Sequence, residues 1–157
     1  MGIFKRKKIH NQLNLNLEKA SQIYNKAFKC LTPAHNIYWC YTLDPHGTFN
    51  DEARLDELQR AIPLLIIYIN QFQKLFFVNE KLCLDYNIKG YSNEFFISNL
   101  EKLDTNITST ISDIKSLPIY NSTPKLKNAI QLLQSASAQT QNALLEIEKQ
   151  LSITVEP

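Results

Sequence analysis

Residues 123–151 read TPKLKNAIQLLQSASAQTQNALLEIEKQL, and no other stretch says more about the architecture. Apolar and small residues recur there in steps of four and three, at Leu126, Ile130, Leu133, Ser137, Thr140, Leu144, Ile147 and Leu151. Such spacing puts them on one face of an α-helix, near the 3.5-residue period of coiled-coil packing. Thr123 suits an N-cap, and Pro124 is tolerated in a first turn. The stretch predicts a long last helix that packs against other helices.

Three earlier segments show the same periodicity. A first helix is expected over about residues 11–31, ended by Thr32-Pro33 because proline lacks an amide donor. A second begins near residue 50 and carries its apolar seam to Phe76, with a kink at Pro63. A third runs from about residue 93 to 117. With only three glycines in 157 residues, turn-rich β architectures are disfavoured. The prediction is an all-α protein, an antiparallel four-helix bundle.

Two connecting segments complete the predicted bundle. Residues 33–49 are the least regular part of the chain and are expected to cover one end of the bundle, with a short helix over 34–43. Residues of about 80–88 are expected to form a short extra helix, stopped by Lys89-Gly90.

The charge of the chain is unevenly distributed. Its 17 Lys and Arg exceed its 15 Asp and Glu by two, but four of the cations are consecutive at residues 5–8, and without them the balance is −2. We therefore expect a basic, flexible N-terminal tag at residues 1–10 and a single helical domain at 11–155. A nucleic-acid-binding domain usually spreads cations over a face, so no nucleic-acid partner is expected.

The N-terminal segment predicts a membrane contact. It joins two apolar side chains to four cations, in the order Ile3, Phe4, Lys5, Arg6, Lys7 and Lys8. Cations near an anionic leaflet are attracted by about 1 kcal/mol each, and apolar side chains add a shallow anchor. A transient contact with an anionic membrane is one expectation, and a solvated chain end is the alternative.

An aromatic cluster lies in the irregular connection. Tyr38, Trp39 and Tyr41 surround Cys40, and Trp39 is the chain's one tryptophan. Aromatic residues on a loop or short helix are typical of protein-binding patches, which makes these three candidate partner-binding residues. The alternative is that Trp39 and one tyrosine plug the open end of the bundle.

Catalytic chemistry finds little support in the motifs. Histidines lack the Glu-x-x-His spacing of di-iron bundles, and glycine is too scarce for a phosphate-binding loop. The three cysteines show no CxxC spacing, so we expect free thiols, a cytoplasmic protein and no cofactor. The alternative is a small metal-binding bundle, an enzyme or a sensor, that uses Cys40, Asp44 and His46.

The most apolar stretch runs over residues 61–78. Asn70, Gln71, Gln73 and Lys74 interrupt it, so a central core helix is expected in preference to a membrane span or an oligomer interface.

The function expected from these features is a non-enzymatic protein-interaction module, such as an adaptor, an inhibitor or an immunity-type accessory protein. It would present helix faces to a protein partner and lie in the cytoplasm, with an inner-membrane contact through its basic start. The last helix is rich in uncharged polar residues, from Gln131 to Gln150, which leaves a homodimer through that helix open.

Overall fold

A computed structural model describes residues 2–43, 52–89, 91 and 93–155, with side chains to Ile153. Its elements in chain order are α1 (Ile3–Lys29), α2 (Thr32–Leu43), α3 (Glu52–Asp85), α4 (Asn93–Lys115), a 3-10 turn (Pro118–Ser122) and α5 (Pro124–Val155). No β-strand occurs within those ranges. The predicted all-α class is confirmed.

The first half of the bundle is an antiparallel pair. Asn16 forms a hydrogen bond to Asn79, and the ring centroid of Tyr24 lies 6.3 Å from that of Phe72. Residue numbers that increase along α1 therefore decrease along α3, so the two helices are antiparallel. Further on, Cys40 of α2 meets Arg54. Together, α1 and α2 therefore pack along the length of α3 and occupy one of the four helix positions of the bundle.

The second half of the bundle adds α4 and α5. Lys125 lies near Asp56, and Gln139 bonds to Asn70, so α5 runs parallel to α3. The other neighbour of α5 is α4, which precedes it in the chain. After the 3-10 turn, α5 returns along α4, and α4 also contacts α2. Consecutive helix positions of the bundle, α1 with α2, then α3, α4 and α5, therefore alternate in direction, as predicted. Within the bundle, α3 and α5 lie side by side and are parallel.

The segment predicted as irregular, 33–49, differs from expectation. Its first part is the regular helix α2, and residues 44–49 lie outside the described part of the chain. Pro33 ends the hydrogen bonding of α1 but is compatible with the first turn of a new helix, where an amide donor is not needed. The bond from the His35 amide to the Leu31 carbonyl, 3.0 Å long, shows how closely α2 follows α1.

Two predicted boundaries were wrong. The first helix does not begin near residue 11: α1 starts at Ile3, and Ile9 is buried one turn before Leu13 on the same face. The short extra helix at 80–88 is instead the end of α3, which is continuous to Asp85. Buried Asn79 and Glu80 carry the seam there, and their polarity concealed it in the sequence.

The end of α3 has its own stop signal. Asn87 adopts a positive φ of 55°, a conformation that asparagine tolerates better than most residues. The Ile88 amide then reaches back to the Cys83 carbonyl at 2.8 Å, the pattern of a Schellman C-cap. The helix therefore ends before the predicted Lys89-Gly90 stop.

Small side chains let α5 approach its neighbours closely. The predicted seam is largely buried, and a second buried row appears beside it at seven-residue intervals, formed by Ala129, Ala136 and Ala143. Alanine brings little side-chain bulk, so it permits close contact between helix backbones, and the seven-residue interval is the heptad period. This spacing agrees with the coiled-coil-like packing predicted for the helix.

Candidate interaction surfaces

The aromatic cluster of α2 divides between the core and the solvent. Tyr38 and Tyr41 are half-buried and pack against the main core, together with fully buried Ile37. Trp39 is 58% exposed and touches Tyr38 edge to face, with ring centroids 5.9 Å apart. Trp39 therefore does not plug the end of the bundle, because more than half of it is exposed, whereas Ile37 and the two tyrosines face the core.

An exposed apolar ridge results on α2. Leu43 follows Trp39 by four residues, so both lie on the same side of the helix, and Leu43 is 79% exposed. The twelve residues of α2 include no Lys, Arg, Asp or Glu. We call Trp39 and Leu43 the α2 ridge. Its sequence signal was the spacing of four residues, which ties Leu43 to the tryptophan.

The residues suggested as metal ligands are only partly described. Cys40 is half-buried, and its sulfur accepts a hydrogen bond from the Arg54 guanidinium. Asp44 and His46 lie outside the described residues. Among the residues that are described, no three His, Cys, Asp or Glu side chains cluster as a metal site. A guanidinium beside the sulfur is an unfavourable neighbour for a metal cation.

The predicted membrane-contact residues form the first two turns of α1. Ile3 and Phe4 are 85% and 90% exposed, and the four cations that follow them are exposed as well. The Lys5 ammonium lies 5.7 Å from the centre of the Tyr86 ring, a cation–π distance. The structure therefore gives these residues a helical geometry and ties them to the C-terminal end of α3.

A shallow pocket opens at this junction. Its volume is about 540 Å³, and Phe4, Lys5, Lys8, Ile9 and Tyr86 line it. Two ammonium groups, two apolar side chains and an aromatic ring therefore share one open depression. Such a surface suits a ligand that carries both negative charge and apolar groups. Tyr86 is the residue that sequence reasoning missed, because nothing in the sequence placed α1 against the end of α3.

A layer of buried polar side chains crosses the α1–α3 seam. Gln12 Nε2 donates to Asn16 Oδ1 at 3.0 Å, and Asn16 Nδ2 donates to Asn79 Oδ1 at 2.8 Å. Asn79 is 1% exposed and its own Nδ2 has no partner. Asn16 lies three residues after Leu13 and four before Ala20, so it shares their buried face of α1.

Ionisable groups adjoin this polar layer. Glu80 is buried, and burial raises the pKa of its carboxyl. Cys83, one turn later, is also buried; burial first, and the Glu80 charge second, raise the pKa of its thiol. A thiol held protonated is a poor nucleophile, so these groups suit a structural seam better than covalent catalysis.

The polar residues of the last helix have two different environments. Gln131, Gln134 and Gln141 are exposed, whereas Gln139 donates to Asn70 within the chain at 2.6 Å. Inside the bundle, the Ser137 hydroxyl donates to Asp104 at 2.9 Å, and the hydroxyl of buried Thr140 donates to the Ala136 carbonyl. The homodimer suggested for this helix stays a prediction.

One described helix, α3, is long and apolar enough to cross a membrane by length and composition alone. It contacts every other α-helix of the bundle, which agrees with the predicted central position. Its covering is incomplete: Leu64, Ile67 and Val78 are each about half-exposed. The core helix of a soluble protein satisfies the same criterion of length and composition.

Comparison with protein-family models, with curated proteins and with solved structures finds no match. The function must therefore be argued from the surfaces themselves. Helical bundles serve many unrelated functions, so the fold alone names none of them.

Proposed function

We propose that this protein is a non-enzymatic interaction module, and that the α2 ridge docks into an apolar groove of a protein partner. One observation supports the proposal most: the tryptophan of an otherwise well-packed bundle is 58% exposed beside Leu43, which is 79% exposed. Tryptophan is the residue type most enriched among binding hot spots, because it buries a large rigid surface at low entropic cost.

The surroundings of the ridge favour a protein groove. A helix without charged residues loses little hydration when it is covered, since no ion has to be desolvated. An amphipathic helix that inserts side chains at i and i+4 into a groove is a common recognition mode. Ile37 and the two tyrosines anchor α2 in the core, so the ridge is already ordered before binding.

The test uses the chain's own tryptophan as a probe. Trp39 is the one tryptophan in the sequence, so its emission reports on the ridge alone. The free protein is expected to show solvent-exposed emission that acrylamide quenches readily. In a complex isolated from the source cells with the tagged chain, the emission should shift to the blue after the partner's own signal is subtracted, and quenching should fall.

Substitution completes the test. Trp39→Ala and Leu43→Ala should each lose the captured partner, whereas Leu145→Ala, which truncates another exposed leucine on α5 (62% exposed), should retain it. Removal of a central tryptophan typically costs 2 kcal/mol or more of binding free energy, about thirty-fold in affinity. Capture of the same proteins by all three variants would exclude the α2 ridge as the docking site. Stoichiometric metal in the purified protein would instead favour the alternative with Cys40, Asp44 and His46.

A further inference from the structure

The positive charge of the protein is concentrated on one helix. α1 holds seven of the 17 Lys and Arg of the chain and one of its 15 Asp and Glu. Its net charge is therefore +6, while the rest of the chain carries −4. The cations at residues 5–8 are joined on this helix by Lys19, Lys26 and Lys29. The basic region is thus a whole helix, and not only a terminal tag.

The outward side of α1 combines cations with apolar residues. Phe4, Lys8, Leu15, Lys19 and Lys26 are separated by four, seven, four and seven residues, so they form one line on the exposed side of the helix. All five are exposed; Leu15 is 51% exposed and Phe4 90%. At 1.5 Å per residue, the line is about 33 Å long. We call it the α1 stripe.

Packing leaves this side of the helix uncovered by the described part of the chain. The main neighbour of α1 is α3, which meets the buried face of the helix through Leu13, Asn16 and Ala20. Glu18 is the one acidic residue on α1, and it is exposed near the stripe. The cations of the helix outnumber it seven to one.

We propose that the α1 stripe binds an anionic lipid surface, with α1 lying along the membrane plane. Phe4 and Leu15 enter the boundary between headgroups and acyl chains, and the lysines of the stripe contact lipid phosphates. A basic helix with apolar side chains on its exposed side is the pattern of an interfacial helix. The pocket of Phe4, Lys5, Lys8, Ile9 and Tyr86 takes one lipid at the end of the stripe, its phosphate near the ammonium groups and its chain against Phe4.

The spacing of the apolar anchors favours a lipid surface over a protein or a nucleic acid. Phe4 and Leu15 are eleven residues apart, about 16 Å along the helix, with cations beside each. A flat anionic surface satisfies both anchors at once. Nucleic acid offers no apolar environment for either side chain along its phosphate backbone, and proteins that bind its single strands usually interleave their cations with stacking aromatics instead.

The lysines set the expected size of the effect. Each cation near an anionic surface strengthens partitioning by about five-fold, so loss of three should weaken binding ten-fold or more. The interaction should also be screened by salt, because the Debye length falls from about 10 Å at 0.1 M to about 3 Å at 1 M.

The test is flotation of the full chain with phosphatidylcholine vesicles, with and without phosphatidylglycerol. The wild-type chain should float only with the anionic vesicles and only at low salt. Lys8→Gln/Lys19→Gln/Lys26→Gln should reduce the floated fraction ten-fold or more. The matched control, Lys102→Gln/Lys115→Gln/Lys127→Gln, removes the same charge from exposed positions on α4 and α5 and should float like the wild type.

A second pair of variants tests the anchors. Phe4→Ala/Leu15→Ala should lose flotation, and Leu132→Ala/Leu145→Ala, on the outside of α5, should keep it. Circular dichroism confirms that each variant is folded. Equal weakening by both lysine sets, equal behaviour of both apolar pairs, or no flotation of the wild type would overturn the proposal. Binding to a single-stranded oligonucleotide that depends on the stripe, in the absence of vesicle binding, would assign it to nucleic acid instead.

Discussion

The two hydrophobic clusters of this protein differ in size and in the helices that build them. The main cluster joins side chains from all five α-helices around an aromatic centre. The ring centroid of Phe96 lies 5.0 Å from that of Phe72 and 5.6 Å from that of Phe76. The small cluster has three buried members, Ile9, Leu13 and Cys83, from α1 and α3 alone.

The polar layer lies beside the small cluster in sequence and in space. Asn16 and Asn79 bond across the α1–α3 seam next to Leu13 and Cys83. A buried amide pair stabilises little on balance, but it disfavours alternative registers of two helices, because a shift would leave both amides unpaired. Stability therefore belongs to the main cluster, whereas the alignment of the basic end of α1 depends on a few contacts.

The largest expected effect is in the main cluster. Phe96 is fully buried, and Phe96→Ala should lower the free energy of unfolding by about 3–5 kcal/mol, because it removes transfer free energy and leaves a cavity. Urea denaturation followed by circular dichroism measures the loss. Phe4→Ala, at a 90% exposed position, is the matched control and should change stability by less than about 0.5 kcal/mol. A loss below about 1 kcal/mol at Phe96 would contradict the central position assigned to it.

Truncation in the small cluster should act locally as well as globally. Leu13 is fully buried, and Leu13→Ala should cost about 2–3 kcal/mol, at the low end for leucine, since few elements surround the site. The rate at which a thiol reagent labels Cys83 should increase strongly in this variant, because local opening exposes the thiol. Cys30, which belongs to the main cluster, is the internal control; Cys40→Ser removes the third thiol. Equal acceleration of both thiols would show that the two clusters open together.

Sequence periodicity predicted the seams well where apolar residues fill them. Leu126, Ile130, Leu133 and Ile147 were all placed on the inner face of the last helix by their spacing, and all are buried. Burial of apolar area is the main driving force of folding, so a pattern of apolar residues is a direct record of it.

Polar residues at seam positions concealed the remainder. Four consecutive cations concealed the start of α1, and Asn79 with Glu80 concealed the last turns of α3. In a sequence, a buried amide resembles an exposed one, and only its partner distinguishes the two. The partner of Asn16 lies 63 residues away, so no local pattern contains it.

The candidate surfaces show the same limit. The exposed aromatic residue and the basic start were visible as residue types. The α1 stripe was not, since Leu15, Lys19 and Lys26 join Phe4 only once the helix is known to begin at Ile3.

Loss of one amide should cost less than loss of a core side chain. Asn16→Ala leaves both polar groups of the buried Asn79 amide without a protein partner, because Nδ2 already has none. The expected cost is about 1–2 kcal/mol, the penalty for unsatisfied buried groups. The double variant Asn16→Leu/Asn79→Leu should recover most of this loss of stability. A double-mutant cycle with the single variants Asn16→Leu and Asn79→Leu, followed by urea denaturation, measures the coupling free energy of the two side chains. Additive losses in the double variant would exclude a direct coupling of the two amides.

The smallest effect is expected at Glu80, and its sign depends on pH. Burial raises the pKa of this carboxyl above its ordinary value of 4.5, so the folded chain binds the proton more tightly than the unfolded chain does. Stability from the protonated form is therefore complete below the unfolded pKa and is lost as pH rises through the folded pKa. Glu80→Gln keeps the neutral shape and should raise the free energy of unfolding at neutral pH.

Measurement across the pH range separates this effect from a general loss of negative charge. Relative to Glu80→Gln, the wild type should lose stability as the pH rises from the unfolded pKa through the folded pKa of this carboxyl, and the two curves should converge in acid, where both side chains are neutral. Glu101→Gln, at an exposed position on α4, removes the same charge and should leave the wild-type curve unchanged in shape. A Glu80→Gln chain that is less stable than the wild type at neutral pH would mean that the ionised carboxylate is stabilised by the fold. The polar layer would then hold α1 against α3 through charge, and not only through the hydrogen bond between the side-chain amides of Asn16 and Asn79.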